Sequence, residues 1–374
     1  MAILWITLFI VTILTLASEC FGKTKITTNL NGEVIQETNP NKFLFFIVIM
    51  ALSLLSGLRS SIGDTGYYMY SYSILTNELN EVFNSREGGF TLLQLVLKNI
   101  NPHPQFLLLI TSFITITLIL KTLFNYSRPL SLAIFLFIAS GVYISTMNGL
   151  RQFLVAAILF SSINLIVENK KMKYFSLVVI LSTIHTSALL MIPIYFIVRQ
   201  EQWSKKIVFF IGIMFCCFIG FNSLFGFFSS IIENTTYGHY VQTFGTEKFE
   251  GANWLRILVA AIPVILSYVY RKKLSEKLPN YNIYVNFSIL NLIIILFSSY
   301  NWVFARLGIY FELYNFILLP AIIKYSFDKK LKILVGYIAM ACYIIFFYFT
   351  PHNYASYFLK INTEIIGPLT RSLY

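Results

Sequence analysis

The chain has 374 residues, 57% of them hydrophobic and only 12% charged, with a mean hydropathy of +0.71. Soluble domains carry about 25% charged residues, so composition excludes a water-soluble globule. The formal net charge of +12 fits Lys and Arg concentrated in cytoplasmic loops, and no nucleic-acid partner is expected from it.

The first segment, "MAILWITLFIVTILTLASEC", lacks a basic leader region and reads as a retained span over 2–20. Apolar runs of a length suited to crossing about 30 Å of hydrocarbon follow at 43–58, 104–124, 130–147, 151–167, 207–228, 254–270, 283–300, 307–325 and 331–349. None shows the alternating segments of about 10 residues that a membrane β-barrel needs. The predicted fold is therefore all-α, a polytopic transmembrane bundle of about ten full spans in a single domain over 1–374.

The run 174–198 is ambiguous, because Thr183-Ile184-His185-Thr186-Ser187 stands in its middle. Read as one crossing, it places the later clusters "RKKLSEK" (271–277) and "DKKLK" (328–332) outside. Read as two half-spans meeting near His185, it keeps them on the face of Lys23, Lys42, Lys121, Arg128 and Lys170. The positive-inside rule selects the second reading, a broken or re-entrant hairpin around His185. Both termini and two large loops, 59–103 and 229–253, then lie outside. Irregular backbone at membrane depth needs protein or a water-filled cavity around it, so the segment around His185 is expected to line a cavity open outward. The stretch "YYMYSYSILTNELNEVF" (67–83) suits a short interfacial helix. Cys20, Cys216, Cys217 and Cys342 sit in or beside apolar runs and read as small core hydrophobes.

Outside this charge bias stand Arg59, Arg151, Arg256 and Arg306, each at the outer end of an apolar run, with Arg86, Lys98, Lys248, Lys360 and Arg371. A charge at the centre of a membrane helix costs about 2.5–3.5 kcal/mol. Taken singly, each arginine is explained by snorkelling to the headgroups. Taken as four beside a polar break, they point to a shared anion site, because the guanidinium fork donates two parallel hydrogen bonds to a phosphate. Asp64 in "LRSSIGDTGYY" and Glu87 in "REGGF" read equally as arginine partners, as sugar-hydroxyl acceptors or as solvated loop carboxylates. His185 is either a satisfied structural donor or a base in a cavity. No spacing suits a metal site and no phosphate-binding glycine loop is present, so neither metal nor cofactor is expected.

In their order, "LRSSIGDTGYY", "REGGF", "NGLRQFLVAAILF", "IHTSALLMIPIYF" and "ARLGIYFE" resemble the successive signatures of the EpsG family. These are exopolysaccharide-biosynthesis membrane proteins similar to Wzy-type polysaccharide polymerases. The resemblance covers about 45 to 325, with Glu87-Gly88-Gly89 where the family more often shows Glu-Pro-Gly. It implies a C-type glycosyltransferase-like bundle in the cytoplasmic membrane, acting on its outer face. The implied reaction joins polyprenyl-pyrophosphate-linked oligosaccharide repeat units, in exopolysaccharide or capsule synthesis. The implied partners are the undecaprenyl-pyrophosphate-linked oligosaccharide, the lipid bilayer, and a chain-length regulator and flippase of the same pathway. The matching positions are His185, Asp64 and Glu87 as catalytic candidates, and Arg59, Tyr67, Arg151, Gln152 and Arg306 as pyrophosphate- or sugar-binding candidates.

Transfer from a polyprenyl pyrophosphate builds negative charge on the leaving group, which cations fixed in place stabilise without reorganising. A general base must also take the acceptor hydroxyl's proton. His185 is the first choice, with Asp64 or Glu87 as substitutes. If Arg151 lies in the first turn of its helix, the helix N-terminus adds favourable partial charge. Two other classes stay open. A lipid-linked glycan flippase or transporter would carry charged cavity residues in both membrane halves, at discontinuous helices. A membrane O-acyltransferase would need a polar constellation facing the cytosol.

Overall fold

The computed structural model describes residues 2–28, 34–76, 78–221, 253–301 and 303–349. Among them the chain is helical except for loops, turns and one antiparallel hairpin. In that hairpin β1 (Lys23–Thr28) pairs with β2 (Val34–Asn39), Lys23 opposite Asn39 and Thr28 opposite Val34. The all-α expectation holds apart from this ribbon, whose β-branched residues favour extended backbone.

The expected ten spans do not appear as ten long helices. Among the described residues three helices are long and apolar enough to cross a membrane: α1 (Ala2–Cys20), α6 (Gln105–Tyr126) and the helix Lys329–Phe349. Two bent pairs raise the number to five. The physical reason is that apolar sequence runs on through residues that stop a helix. The run 130–147 forms α7 (Leu130–Ala139) and α8 (Val142–Asn148), bent by 54° at Gly141. Gly141 takes φ +83°, which costs glycine little because it has no Cβ. The run 151–167 divides at Ser162 into α9 (Leu150–Ser161) and α10 (Ile163–Val167). The run 307–325 holds a 3-10 turn, Glu312–Tyr314, before the helix Asn315–Ser326. The runs 43–58 and 283–300 are single helices of 16 and 17 residues, α2 (Lys42–Gly57) and Tyr281–Phe297. The end of the run 207–228, the outer loop 229–253 except Asn253, and Lys248, Lys360 and Arg371 lie outside the described residues.

The chain forms two compact units, Met1–Ile192 with Leu319–Tyr374, and Pro193–Leu318. In the first, α2 and α9 pack against α6, and α1 packs against α2 and α7. Val48, Leu52, Ile116, Ile119 and Val155 are fully buried there. The Asn41 side chain starts α2 by accepting from the N–H groups of Phe43 and Leu44 at 3.0 and 3.1 Å, as an N-cap does.

Between α2 and α6 run α3 (Thr65–Ile74), α4 (Asn80–Asn84) and α5 (Gly88–Ile100). The interfacial helix expected over 67–83 is thus two shorter helices. Tyr68 and Tyr72 of α3 pack with Phe90 and Leu97 of α5, Leu107 and Leu108 of α6, and Leu150 of α9. Lys98 explains its own place outside the charge bias. Its ammonium donates to the carbonyls of Tyr72, Ser73 and Leu75 at 2.9, 2.9 and 2.6 Å, satisfying acceptors that α3 leaves open at its end.

The break foreseen at His185 is present. Helix α11 (Lys171–Ser182) stops, His185 is extended at φ −150°, and a 3-10 turn, Thr186–Leu190, leads into α12 (Met191–Val198). No Gly or Pro marks the stop. The hydroxyls there bond locally and compete with the helix ladder, as Thr183 Oγ1 does by donating to the Ile180 carbonyl at 2.7 Å. In the second unit Asn286 Nδ2 donates to the Gln200 carbonyl at 2.8 Å, and Phe287 stacks on Tyr314.

Candidate functional site

Glu87 immediately precedes α5, and two glycines after it let the chain lie close to its neighbours. The Gly89 N–H donates to the Thr183 carbonyl at 2.9 Å. A Cβ on Gly89 would stand 2.1 Å from Thr183 Oγ1, and one on Gly88 would stand 2.5 Å from the Val82 carbonyl oxygen. This tight seat places the Glu87 carboxylate at the break before α12. Its Oε1 lies 2.8 Å from His185 Nδ1 and accepts from the Thr186 N–H at 3.0 Å. Its Oε2 accepts from Arg151 Nη1 at 2.6 Å. One carboxylate therefore joins "REGGF", "NGLRQ" and "IHTS", three stretches far apart in sequence.

Burial works against the charge of Glu87, whose side chain is only 13% exposed. The His185 ring, the Thr186 N–H and the Arg151 guanidinium outweigh that cost and hold the carboxyl below its ordinary range. An ionised carboxylate only accepts, so His185 carries its hydrogen on Nδ1 and, when neutral, leaves Nε2 as the basic nitrogen.

Arg151 lies in the first turn of α9, as the sequence reading required for a contribution from the helix N-terminus. Its Nε donates to the Tyr68 hydroxyl at 3.3 Å. The guanidinium carbon stands 5.6 Å from the Tyr68 ring centre and 5.4 Å from that of Phe90, within cation–π range. A cavity of about 350 Å³ opens beside it, with Tyr67, Tyr68, Ser71, Gln94 and Arg151 among its walls. Glu87 and His185 are not part of that lining; Glu87 holds Arg151 at its edge, and the His185 side chain beside Glu87 is 26% exposed.

The other expected site residues divide. Tyr67 is exposed at the cavity, its ring 5.6 Å from that of Tyr68. Asp64 precedes α3, where its N–H donates to Asn148 Oδ1 at 3.1 Å. The turn before it needs Gly63, which takes φ +49° and whose Cβ would stand 1.8 Å from Asn148 Oδ1. Gln152 is buried. Arg306 is exposed on the short helix Val303–Gly308 of the second unit.

Arg59 is elsewhere altogether. It has no exposed surface, and its guanidinium donates to Thr65 Oγ1 at 3.0 Å, the Ser56 carbonyl at 2.6 Å and Ser112 Oγ at 3.1 Å. Gln105 Nε2 donates to the Arg59 carbonyl at 2.9 Å. Arg59 thereby ties the end of α2 to α3 and α6, and is not brought to Glu87. Phe90 and the Thr186 N–H belong to the site without having been singled out by residue type. Their only sequence signal is membership of "REGGF" and adjacency to His185. Among the described residues no three His, Cys, Asp or Glu side chains are grouped to hold a metal.

A family model described as the EpsG family matches residues 42–363. The chain belongs to the EpsG family. EpsG is a Wzy-like polymerase family of exopolysaccharide synthesis, so this member is a membrane protein of polysaccharide biosynthesis with a polymerase role in general. The matched span contains Glu87, Arg151 and His185, and runs through both compact units. No curated protein and no solved structure is significantly similar to the chain.

Proposed function

We propose that this EpsG family member polymerises polyprenyl-pyrophosphate-linked oligosaccharide repeat units on the outer face of the cytoplasmic membrane. The observation that carries the reading is the Arg151–Glu87–His185 trio beside an aromatic-walled cavity. Action on the outer face follows from the charge bias of the loops. A C-type glycosyltransferase-like architecture belongs to the same reading, on the resemblance alone.

In the reaction the acceptor hydroxyl attacks the anomeric carbon of the donor repeat, and the anomeric C–O bond to pyrophosphate breaks. The bonding pair leaves with the pyrophosphate oxygen, where negative charge grows. Arg151 donates to that oxygen, with the positive end of α9 behind it. His185 Nε2 takes the hydroxyl proton as the new glycosidic bond forms. Glu87 is a positioning residue. Both its oxygens accept hydrogen bonds, which makes it a poor base but fixes the directions of Arg151 and His185. Tyr67, exposed at the cavity mouth, offers a ring face to a sugar.

The test uses the purified full chain in detergent with a synthetic polyprenyl-pyrophosphate repeat unit and no other energy source. Wild type is expected to yield a sugar ladder and free polyprenyl pyrophosphate. Arg151→Ala and His185→Ala are each expected to lose about 10²-fold or more of that output. No ladder from wild type, with the lipid crossing vesicle membranes instead, would replace the polymerase with a flippase.

A further inference from the structure

A second cavity lies in the first unit, away from the Glu87 trio. It measures about 560 Å³ and is enclosed by the second half of α1, the start of α7, the end of the helix Asn315–Ser326 and the start of the helix Lys329–Phe349. Three cations line it: Arg128, Lys324 and Lys332. The one carboxylate in the lining, Glu19, already serves the start of α7. It accepts from the Leu130 N–H at 2.6 Å, from the Ser131 N–H at 3.3 Å, and in a short bond from the Ser131 hydroxyl. Three cations against one engaged carboxylate leave the cavity electropositive.

Apart from Thr12, Thr38 and Ser131, its other walls are apolar. Leu16 of α1, with Ile333 and Tyr337 of the helix Lys329–Phe349, line the cavity and are 45%, 53% and 68% exposed. Those two helices are also among the three long and apolar enough to cross a membrane, so side chains this exposed on them face acyl chains. The cavity thus joins a cationic floor to a lipid-facing apolar groove. Its cations come from the clusters that the positive-inside rule assigns to the cytoplasmic leaflet, where anionic lipids meet basic pockets between helices.

We propose that this cavity binds one anionic phospholipid of the membrane, its phosphate held by Arg128, Lys324 and Lys332 and an acyl chain laid along Leu16, Ile333 and Tyr337. The arginine is well placed for the task. Its Nη1 donates to the carbonyls of Phe124 and Ser127, both at 2.7 Å, which fixes the guanidinium at the C-terminal end of α6. A bound lipid would bridge four helices and clamp the helix Lys329–Phe349 to α1 and α7. The site does not depend on the polymerase reading.

The test is native mass spectrometry and thermal melting of the full chain in detergent, with phosphatidylglycerol, phosphatidylcholine or inorganic phosphate added. Wild type is expected to retain phosphatidylglycerol at least about ten-fold more strongly than phosphatidylcholine, a coupling of about 1.4 kcal/mol, and to melt higher with it. K324Q/K332Q is expected to lose that preference. Gly336→Leu gives an independent route. A Cβ at Gly336 meets no atom within 4 Å, and the residue lines the cavity, so leucine should occlude the groove without strain and weaken retention with every cation intact. Equal retention of the two lipids by wild type, an undiminished preference in K324Q/K332Q, or undiminished retention by Gly336→Leu would overturn the proposal. So would inorganic phosphate raising the melting temperature as much as phosphatidylglycerol does, since the apolar half of the site would then do nothing.

Discussion

Two arginines look alike in the sequence and are opposites in the fold. Arg59 and Arg151 each stand at the end of an apolar run, on the side that the charge bias leaves poor in cations. Arg59 is sealed in the core and donates to two hydroxyls and a carbonyl, so its charge is spent holding α2, α3 and α6 together. Arg151 is 29% exposed, is paired with a carboxylate and faces a cavity. What distinguishes them is the partner. Neutral acceptors in a closed pocket give a lock, whereas one carboxylate at an open edge leaves guanidinium hydrogens to offer a ligand. A buried cation held only by neutral groups makes a scaffold, not an anion site.

The comparison breaks most plainly if Arg59 is removed. Arg59→Met would take its donor from the Ser56 carbonyl, at about 1–3 kcal/mol for a buried group left unsatisfied, and would loosen Thr65 and Ser112, which keep the Ile62 carbonyl and the Ser56 hydroxyl as partners. The expected result is a melting temperature lowered by many degrees and little folded protein, with polymer made per folded molecule near normal. Full stability, with output lost, would move Arg59 into the site.

Arg151→Lys should do the reverse. A lysine keeps the charge but not the planar fork, so polymer output should fall about 10²-fold while the melting temperature hardly moves. Near-normal output would remove Arg151 from the mechanism.

Glu87→Gln sharpens the case from the partner's side. Its single amide oxygen can accept either from Arg151 or from the Thr186 N–H and His185 Nδ1, not from both, and its NH2 then faces a donor at the other place. Output should fall about ten-fold, on the scale of one charge-assisted hydrogen bond, with the apparent pKa of the activity profile displaced. An unchanged profile would leave Glu87 a purely structural tie.

The smallest effect concerns acid stability. Glu87 sits below its ordinary value of 4.5 in the folded chain, so its contribution is complete above about pH 4.5 and disappears as pH falls through the lowered value. Melting curves between about pH 3 and 6 should show wild type losing part of its advantage over Glu87→Gln toward the acid end. Parallel curves would mean that the carboxylate adds nothing to folding.

Much of the site was legible because its members fall in short stretches with unusual residues for a membrane. Arg151 and Gln152 open an apolar run, and His185 sits among hydroxyl residues inside another. Both marks pointed to real features, the first turn of α9 and the break before α12. The role of Glu87 was not legible. Its neighbours Gly88 and Gly89 signal a close approach, yet nothing in "REGGF" says that the approached backbone is Thr183, more than ninety residues further on. Lys98 was equally opaque, since its three carbonyl acceptors belong to the end of α3.

The sequence by itself determined the solvent and the building material. Its 57% hydrophobic and 12% charged residues require a membrane, and without water as a partner the backbone must bond to itself as helices. The ordered motifs over about 45 to 325, inside the 42–363 matched by the family model, determined the family. Only the tertiary structure decided how long each helix runs and which polar groups meet. Helix length is set by local competitors for the backbone, such as the φ of Gly141 and the hydroxyls around His185, which mean hydropathy does not register. Which arginine is locked in the core and which pairs with a carboxylate beside a cavity depends on what stands within about 3 Å of it, a distance that the fold alone assigns.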